Sequence, residues 1–143
     1  MASQTQTASA EREALPPVNV WLLPMVAAWL VPGAGHFLLK KTGRGALILG
    51  SVVMMFLLGL CMQGVMFTPE KGADYLTTLI NYGGTLCNLA AGAMYLLTAM
   101  FGYHQPDVPG AIHDYGTKFL VTAGLLNILS MVDAWEIVTG KKD

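Results

Sequence analysis

Charged residues are scarce in this sequence. Asp, Glu, Lys and Arg together make up 12% of the 143 residues, whereas apolar residues make up 54%. A soluble domain carries about 25% charged residues, so this chain has about half the charge that a water-facing surface needs. The net charge of −1 gives nucleic-acid binding no electrostatic basis. The composition therefore favours a protein whose solvent is the lipid bilayer.

Recognisable catalytic and redox patterns are also missing. The two cysteines, Cys61 and Cys87, lie in apolar stretches and form no CxxC pair. Such cysteines usually serve as small packing residues. We find no Ser-His-Asp, Cys-His, paired-carboxylate or phosphate-loop pattern, so we expect neither an enzymatic activity nor a cofactor.

What the sequence does contain is four apolar segments, at about residues 18–39, 45–67, 75–103 and 119–138. A spanning helix needs about 20 apolar residues, and short links make consecutive helices antiparallel neighbours. The sequence thus predicts an all-α membrane protein with about four transmembrane helices, arranged as two antiparallel hairpins in one domain, 18–139. We expect residues 1–17 to be a disordered tail and residues 140–143 a polar tail. No internal repeat is evident.

The first apolar segment is irregular. Pro24, Pro32, Gly33 and Gly35 interrupt it, and a broken backbone at membrane depth needs cover from protein or a wet cavity. We expect the segment to be kinked or re-entrant at Pro32–Gly35. Four full spans would leave four basic residues on each side of the membrane. A re-entrant first segment would instead place five on the side of the basic turn and three on the other side. The dense basic turn at residues 40–44 favours the cytoplasm for that side of a multi-pass protein of the cell (inner) membrane.

Two stretches resemble known families. "PGAGHFLLKKTGRGALI" resembles the first hairpin of the two-transmembrane-helix (TM-two) domain family, although its turn lacks the Asp-Arg-Phe-like triplet of many members. "AGLLNILSMVDAWEIVTGKK" resembles a bacterial membrane family of unknown function that shares the Pro-Gly-x-Gly-His start. His36, Asn127 and Asp133 fall on its motif positions. The resemblance implies a small helical membrane fold and no particular activity.

The residues of the first stretch also have a direct physical interpretation. Glycines let helix backbones approach closely in membranes, and His36 can satisfy a carbonyl freed by Pro32. Alternatives for His36 are a ligand or proton-relay role and a contact with lipid head groups. The candidate structural motif comprises Pro32, Gly33, Gly35, His36, Gly43 and Gly45.

Small and polar residues recur on one face of the third and fourth segments. Antiparallel packing would place Asn88 opposite Asn127, Gly84 opposite Ser130 and Asn81 opposite Asp133. Hydrogen bonds between membrane helices average about 0.6 kcal/mol, so this seam would mainly fix the register. The predicted polar seam comprises Asn81, Gly84, Asn88, Asn127, Ser130 and Asp133.

Two groups of ionisable residues are candidates for ion chemistry. Asp133 lies within a predicted span, where a carboxylate is either hydrogen-bonded or involved in proton or cation handling. Its predicted position is near the membrane face opposite His36, so the two residues cannot form a dyad unless the topology differs. The third link brings together imidazoles and carboxylates that could bind zinc or iron, or that could simply face solvent: His104, Asp107, His113 and Asp114.

Taken together, these features predict a non-enzymatic integral membrane protein. Its expected role is that of a structural, assembly or regulatory subunit that packs against other membrane subunits or copies of itself. The alternative is a transporter or binder of small ions, protons or metals that uses His36, Asp133 and the histidines of the third link.

Overall fold

The protein is all-α, as predicted. The computed structural model describes residues 16–142, so the predicted N-terminal tail lies almost entirely outside the described residues. Within that range the chain forms no strand. Its six helices are α1 (Val18–Leu30), α2 (Ala34–Leu38), α3 (Thr42–Cys61), α4 (Tyr75–Ala90), α5 (Ala93–Met100) and α6 (Ala111–Val138).

The helices α3 and α6 form the central pair of the bundle. They are the two described helices that are long and apolar enough to cross a membrane. A methyl group at Gly59 of α3 would lie 2.8 Å from the Leu120 side chain of α6. The two helices run antiparallel, because Ile48, earlier in α3, lines a common groove with Ser130, later in α6. Val52, Phe56 and Leu120 form the buried core between them. Four spanning helices, as predicted, are therefore not confirmed.

The first apolar segment reverses direction instead of crossing as one helix. Its 13-residue helix α1 is about 20 Å long, shorter than the hydrocarbon core of a bilayer. The chain then turns at Gly33, whose φ of 79° is accessible to glycine at little cost. Helix α2 returns beside α1, since a methyl group at Gly35 would lie 2.8 Å from the Pro24 carbonyl oxygen. The segment therefore forms a helical hairpin and is not one kinked helix.

The third apolar segment is broken in the same way. Helix α4 ends at Ala90, and the chain turns at Gly92, whose φ is 65°. Helix α4 runs parallel to α6, because Cys87 abuts Gly124 and Ala90 lies beside Asn127. Helix α5 then leads back to the start of α6. A second helical hairpin therefore takes the place of the single long helix that the sequence predicts.

The described chain contains an internal repeat that sequence reasoning missed. Each half consists of a broken helical hairpin followed by one long helix. The two breaks share the pattern Leu-x-x-Gly-Ala, at residues 30–34 and 89–93. The hairpins enter the bundle from opposite ends, and their tips meet, since a methyl group at Gly92 would lie 1.9 Å from the Trp29 carbonyl oxygen. The architecture is thus an inverted repeat.

The link between α3 and α4 is longer and less regular than predicted. Helix α3 ends at Cys61, six residues before the predicted end, and Gln63 adopts a φ of 56°. The backbone N–H of Val65 donates to the Thr117 hydroxyl at 2.9 Å. A methyl group at Gly84 would lie 2.3 Å from the Phe67 ring, so this link packs directly on α4.

Candidate functional site

One end of the bundle, here called the basic end, brings together an ionisable cluster. The basic end is defined by Lys40, Lys41, Arg44, Lys141 and Lys142. There the His36 ring is fully buried, and its Nε2 lies 2.8 Å from Oδ2 of Asp133. The other carboxylate oxygen of Asp133 accepts a hydrogen bond from the Lys142 ammonium group.

This cluster corrects the prediction that His36 and Asp133 lie near opposite membrane faces. The prediction assumed that the first segment crosses the membrane once. Because α2 folds back beside α1, His36 returns to the level of the last turns of α6, where Asp133 lies. Its ring therefore bonds to Asp133 rather than to a carbonyl freed by Pro32.

Two polar atoms near this cluster are buried without a hydrogen-bond partner among the described residues. They are Nδ1 of His36 and Oγ of Ser130. Ser130 precedes Asp133 by one helical turn, so both residues project from the same side of α6. An unpaired imidazole nitrogen and an unpaired hydroxyl are unusual in a buried environment, where most polar groups are paired.

The glycine-rich motif explains how His36 reaches its position. A methyl group at Gly33 would lie 2.4 Å from the Gly45 carbonyl oxygen, and one at Gly35 would lie 2.9 Å from the Ala28 side chain. Both glycines therefore let α2 pack tightly against α1 and α3, as predicted. Gly43 does not share this role, because nothing lies within 4 Å of a methyl group at that position.

A second polar cluster holds the tips of the two hairpins together. Nδ2 of Asn127 donates to the carbonyl oxygens of Trp29, at 3.1 Å, and Ala90, at 2.8 Å. The Trp29 indole donates to the Leu89 carbonyl at 3.1 Å. These carbonyls lie at helix ends, where the regular helical pattern leaves acceptors free. Asn127 thus acts as a clamp, because its side-chain amide donates hydrogen bonds to free carbonyl oxygens at both helix breaks.

The pairings predicted for the polar seam are wrong. Asn88 donates to the Phe67 carbonyl at 3.4 Å and Asn81 to the Glu70 carbonyl at 3.1 Å, so neither contacts α6 through a side-chain hydrogen bond. The side-chain amides of α4 donate to carbonyl oxygens of the irregular link between α3 and α4. The Asn127 amide donates instead to carbonyl oxygens at the two helix breaks. Sequence reasoning matched amides with one another because it placed these carbonyls inside regular helices.

The candidate metal ligands of the third link do not come together in the described part of the chain. No group of three or more His, Cys, Asp or Glu side chains comes close enough there to hold a metal ion. Instead, Nδ1 of His113 lies 3.4 Å from the Gln63 carbonyl oxygen. Asp107 and Asp114 line a cavity of about 660 Å³ together with Lys118. These are exposed polar groups of a loop and a helix start.

A groove opens on the surface between α3 and α6, near the basic end. Its volume is about 340 Å³, and its walls are leucine, isoleucine and valine side chains. Three polar residues also line it: Ser51, Ser130 and Asp133. Ser130 lines this groove with other atoms, because its hydroxyl oxygen has less than 1 Å² of accessible surface.

Comparison with known proteins yields a family without an assigned activity. No curated protein and no solved structure matches the chain. A family described as a family of unknown function, DUF6677, matches residues 23–143, which include the first hairpin from residue 23 onward, the whole second hairpin, the clamp and the basic-end cluster. This match confirms the resemblance to a family of unknown function and gives no support for a relationship to the TM-two family. The chain belongs to the DUF6677 family.

Proposed function

We propose that this protein lies in the cell (inner) membrane with two crossing helices, α3 and α6, and two re-entrant hairpins that enter from opposite faces. In this arrangement the basic end faces the cytoplasm. Five basic residues of the described chain, Lys40, Lys41, Arg44, Lys141 and Lys142, then lie on the cytoplasmic side. Only Lys71 and Lys118 lie toward the other side. The excess of five over two agrees with the positive-inside rule, whereas four full spans gave a tie.

Single-cysteine labelling tests this topology. On a background with Cys61→Ala and Cys87→Ser, we would place one cysteine at Lys41 or at Gln105 and apply a membrane-impermeant maleimide to intact cells. The proposal predicts labelling of Gln105→Cys and protection of Lys41→Cys until the membrane is permeabilised. Four full spans put both positions on one side, so equal labelling would contradict the proposal.

We infer that the protein is a non-enzymatic subunit that packs against membrane partners. The observation that carries this inference is the second hairpin, since none of the eight residues of α5 is buried. Met100 and Phe101, at the end of α5, are 83% and 85% exposed. Interrupted helices survive at membrane depth where protein covers them, and the chain's own helices leave the outer side of α5 uncovered. A partner subunit or a second copy that packs on α5 would supply this cover.

Site-specific photocrosslinking in native membranes tests the subunit role. A photoreactive residue at Leu97 of α5, which is 52% exposed, should give a discrete crosslinked species. The matched control is Leu23 of α1, which is 66% exposed and lies on the first hairpin. Native mass spectrometry of the mildly extracted protein would then give the mass of the partner. Crosslinks to lipid alone at Leu97 would contradict the subunit role.

A second candidate function is proton or small-ion binding at the basic end. The contact between the buried His36 ring and Asp133 favours it, because ionisable residues in membrane segments often serve ion pathways. The histidines of the third link are not part of this candidate site. Ion flux into proteoliposomes should therefore be abolished by Asp133→Asn and unchanged by His104→Gln with His113→Gln. A flux that survives Asp133→Asn would exclude this candidate.

A further inference from the structure

A cleft between α4 and α6 has the size and the lining of a ligand site. It lies beside the start of α6, at the end of the bundle opposite the basic end, and its volume of about 660 Å³ is within the usual range for ligand clefts. Gly83 of α4 lines it, and nothing lies within 4 Å of a methyl group at that position, so the space is open. Its apolar walls come from the link after α3 and from the two helices: Val65, Phe67, Ile80, Cys87 and Val121.

Three charged residues line the cleft, and its two carboxylates are free to bind a cation. They are Asp107 of the third link and Asp114 and Lys118 of the first two turns of α6. The ion pairs of the described chain all involve Asp133, so neither Asp107 nor Asp114 is neutralised by a described residue. The Lys118 ammonium group lies 5.0 Å from the centre of the Tyr115 ring. The lining therefore offers two sites for positive charge and one for negative charge.

The charged residues lie at one end of the cleft, and apolar lining continues beyond them. Helices α4 and α6 run parallel, so both begin at this end of the bundle. Asp114 and Lys118 lie in the first turns of α6, whereas Val121 and Cys87 line the cleft further along the two helices, toward the hairpin tips. In the proposed topology this direction leads from the membrane surface into the hydrocarbon core. The cleft thus fits a molecule with a zwitterionic head and an apolar tail.

We propose that this cleft binds one molecule of phosphatidylethanolamine. The primary ammonium group would donate hydrogen bonds to Asp107 and Asp114, the phosphate would lie near Lys118, and an acyl chain would lie along the apolar walls. Hydrogen bonds between charged groups are about twice as strong as neutral ones, and a choline head group cannot donate them. Quaternary ammonium groups are typically bound by aromatic cages, whereas Phe67 is the one aromatic residue among the described residues that line the cleft.

The test uses the full-length protein in mild detergent with equimolar dioleoyl phosphatidylethanolamine, phosphatidylcholine and phosphatidylglycerol. Native mass spectrometry should show one retained phosphatidylethanolamine, in preference to each competitor by about fivefold or more. Retention of either competitor as strong as that of phosphatidylethanolamine would overturn the proposal. The proposal uses the membrane location proposed above, but neither the subunit role nor ion binding. Because the ratios are measured in detergent, they do not depend on the orientation of the protein or on a partner.

Neutral substitutions test the role of the two carboxylates. Asp107→Asn and Asp114→Asn each remove a charge at almost constant volume, and each should reduce the preference over phosphatidylglycerol by about two- to fivefold. The matched control is Glu70→Gln, which removes an exposed carboxylate outside the cleft lining and should leave the preference unchanged. An unchanged preference in the double variant of Asp107 and Asp114 would overturn the proposal.

Two glycine substitutions localise the lipid to the cleft. Gly83→Leu adds bulk inside the cleft, at a position where a methyl group meets no neighbouring atom, and should abolish retention of phosphatidylethanolamine. Gly50→Leu adds the same bulk to α3, outside the cleft lining and at an equally open position, and should retain the lipid. Undiminished binding to Gly83→Leu would overturn the assignment of the site.

The native cysteines provide a measurement that remains valid if Gly83→Leu fails to fold. Cys87 lines the cleft, whereas Cys61 is exposed and lies outside its lining. Phosphatidylethanolamine at about ten times its Kd should slow the alkylation of Cys87 by N-ethylmaleimide about tenfold relative to that of Cys61. Peptide mass spectrometry measures both rates in one sample. An unchanged ratio of the two rates would overturn the proposal.

Discussion

The two hairpins share one backbone design but differ in how they are anchored. Each turns at a glycine with positive φ, Gly33 or Gly92, within a Leu-x-x-Gly-Ala pattern. After the first turn, α2 packs against α1, α3 and α6, and His36 bonds to Asp133. After the second turn, α5 has no buried residue. Only the first hairpin has a tight return helix with a buried polar anchor.

This difference indicates a division of labour between the halves. The tips are equally constrained, because Asn127 bonds to both and Trp29 contacts Gly92. The helices that follow the two turns, α2 and α5, are not equally constrained. The Gly-x-Gly-His sequence of the first half is replaced by Gly-Ala-Met-Tyr in the second. We therefore assign internal stability to the first hairpin and external contact to the second.

The largest expected effect comes from adding a methyl group where the tips meet. Gly92→Ala should destabilise the protein by more than about 3 kcal/mol, because the new Cβ would overlap a carbonyl oxygen and the positive φ would be strained. Gly83→Ala is the control, since nothing lies within 4 Å of its methyl position, and it should be neutral or stabilise by up to about 1 kcal/mol. Unfolding in mixed micelles measures both. A mild effect at Gly92 would show that the tips do not touch.

Removing the clamp should have the next largest effect. Asn127→Ala strands two carbonyls at the helix breaks and should cost about 2–3 kcal/mol. Asn81→Ala removes one bond from a more exposed amide and should cost about 0.5–1 kcal/mol. Equal losses in the same unfolding assay would refute a special role for Asn127.

The anchor of the first hairpin should show energetic coupling. A double-mutant cycle with His36→Ala and Asp133→Ala should give a coupling energy of about 1–3 kcal/mol, because the two groups contact each other in a partly buried setting. Asp133→Asn retains a hydrogen-bond acceptor and should preserve the fold. Additive losses from the two alanine variants would mean that the contact contributes nothing to stability.

The smallest effect is expected at the start of the second hairpin. The hydrogen bond from Thr77 to the Asp74 carboxylate lowers the pKa of this N-cap residue. The stabilisation is therefore present above the ordinary pKa of an aspartate and is lost as the pH falls through the lowered value. Compared with Asp74→Asn, the native protein should lose a small part of its melting-temperature advantage on acidification. A constant difference across that pH range would argue against the cap.

The sequence predicted the helical class and the close packing of the glycine-rich turn, and two of the described helices are long and apolar enough to cross a membrane. Close packing at Gly33, Gly35 and Gly45 followed from residue size alone. The second break could not be foreseen in the same way, because Ala91-Gly92 lacks a proline and resembles ordinary helix. Missing this break also gave the wrong helix direction. An unbroken third segment would make α4 antiparallel to α6, whereas α4 runs parallel to α6. Every predicted amide pairing depended on that direction.

The Asn127 clamp also has a consequence for biogenesis. The Trp29 carbonyl oxygen accepts its hydrogen bond from Asn127, which lies 98 residues further along the chain. While the first half of the chain is being synthesised, this donor does not yet exist. In the proposed topology, α1 is too short to cross the bilayer alone. The packing of the amino-terminal hairpin is then completed only after translation of α6. A chain truncated before Asn127 would leave the carbonyl oxygens of Trp29 and Ala90 without this partner.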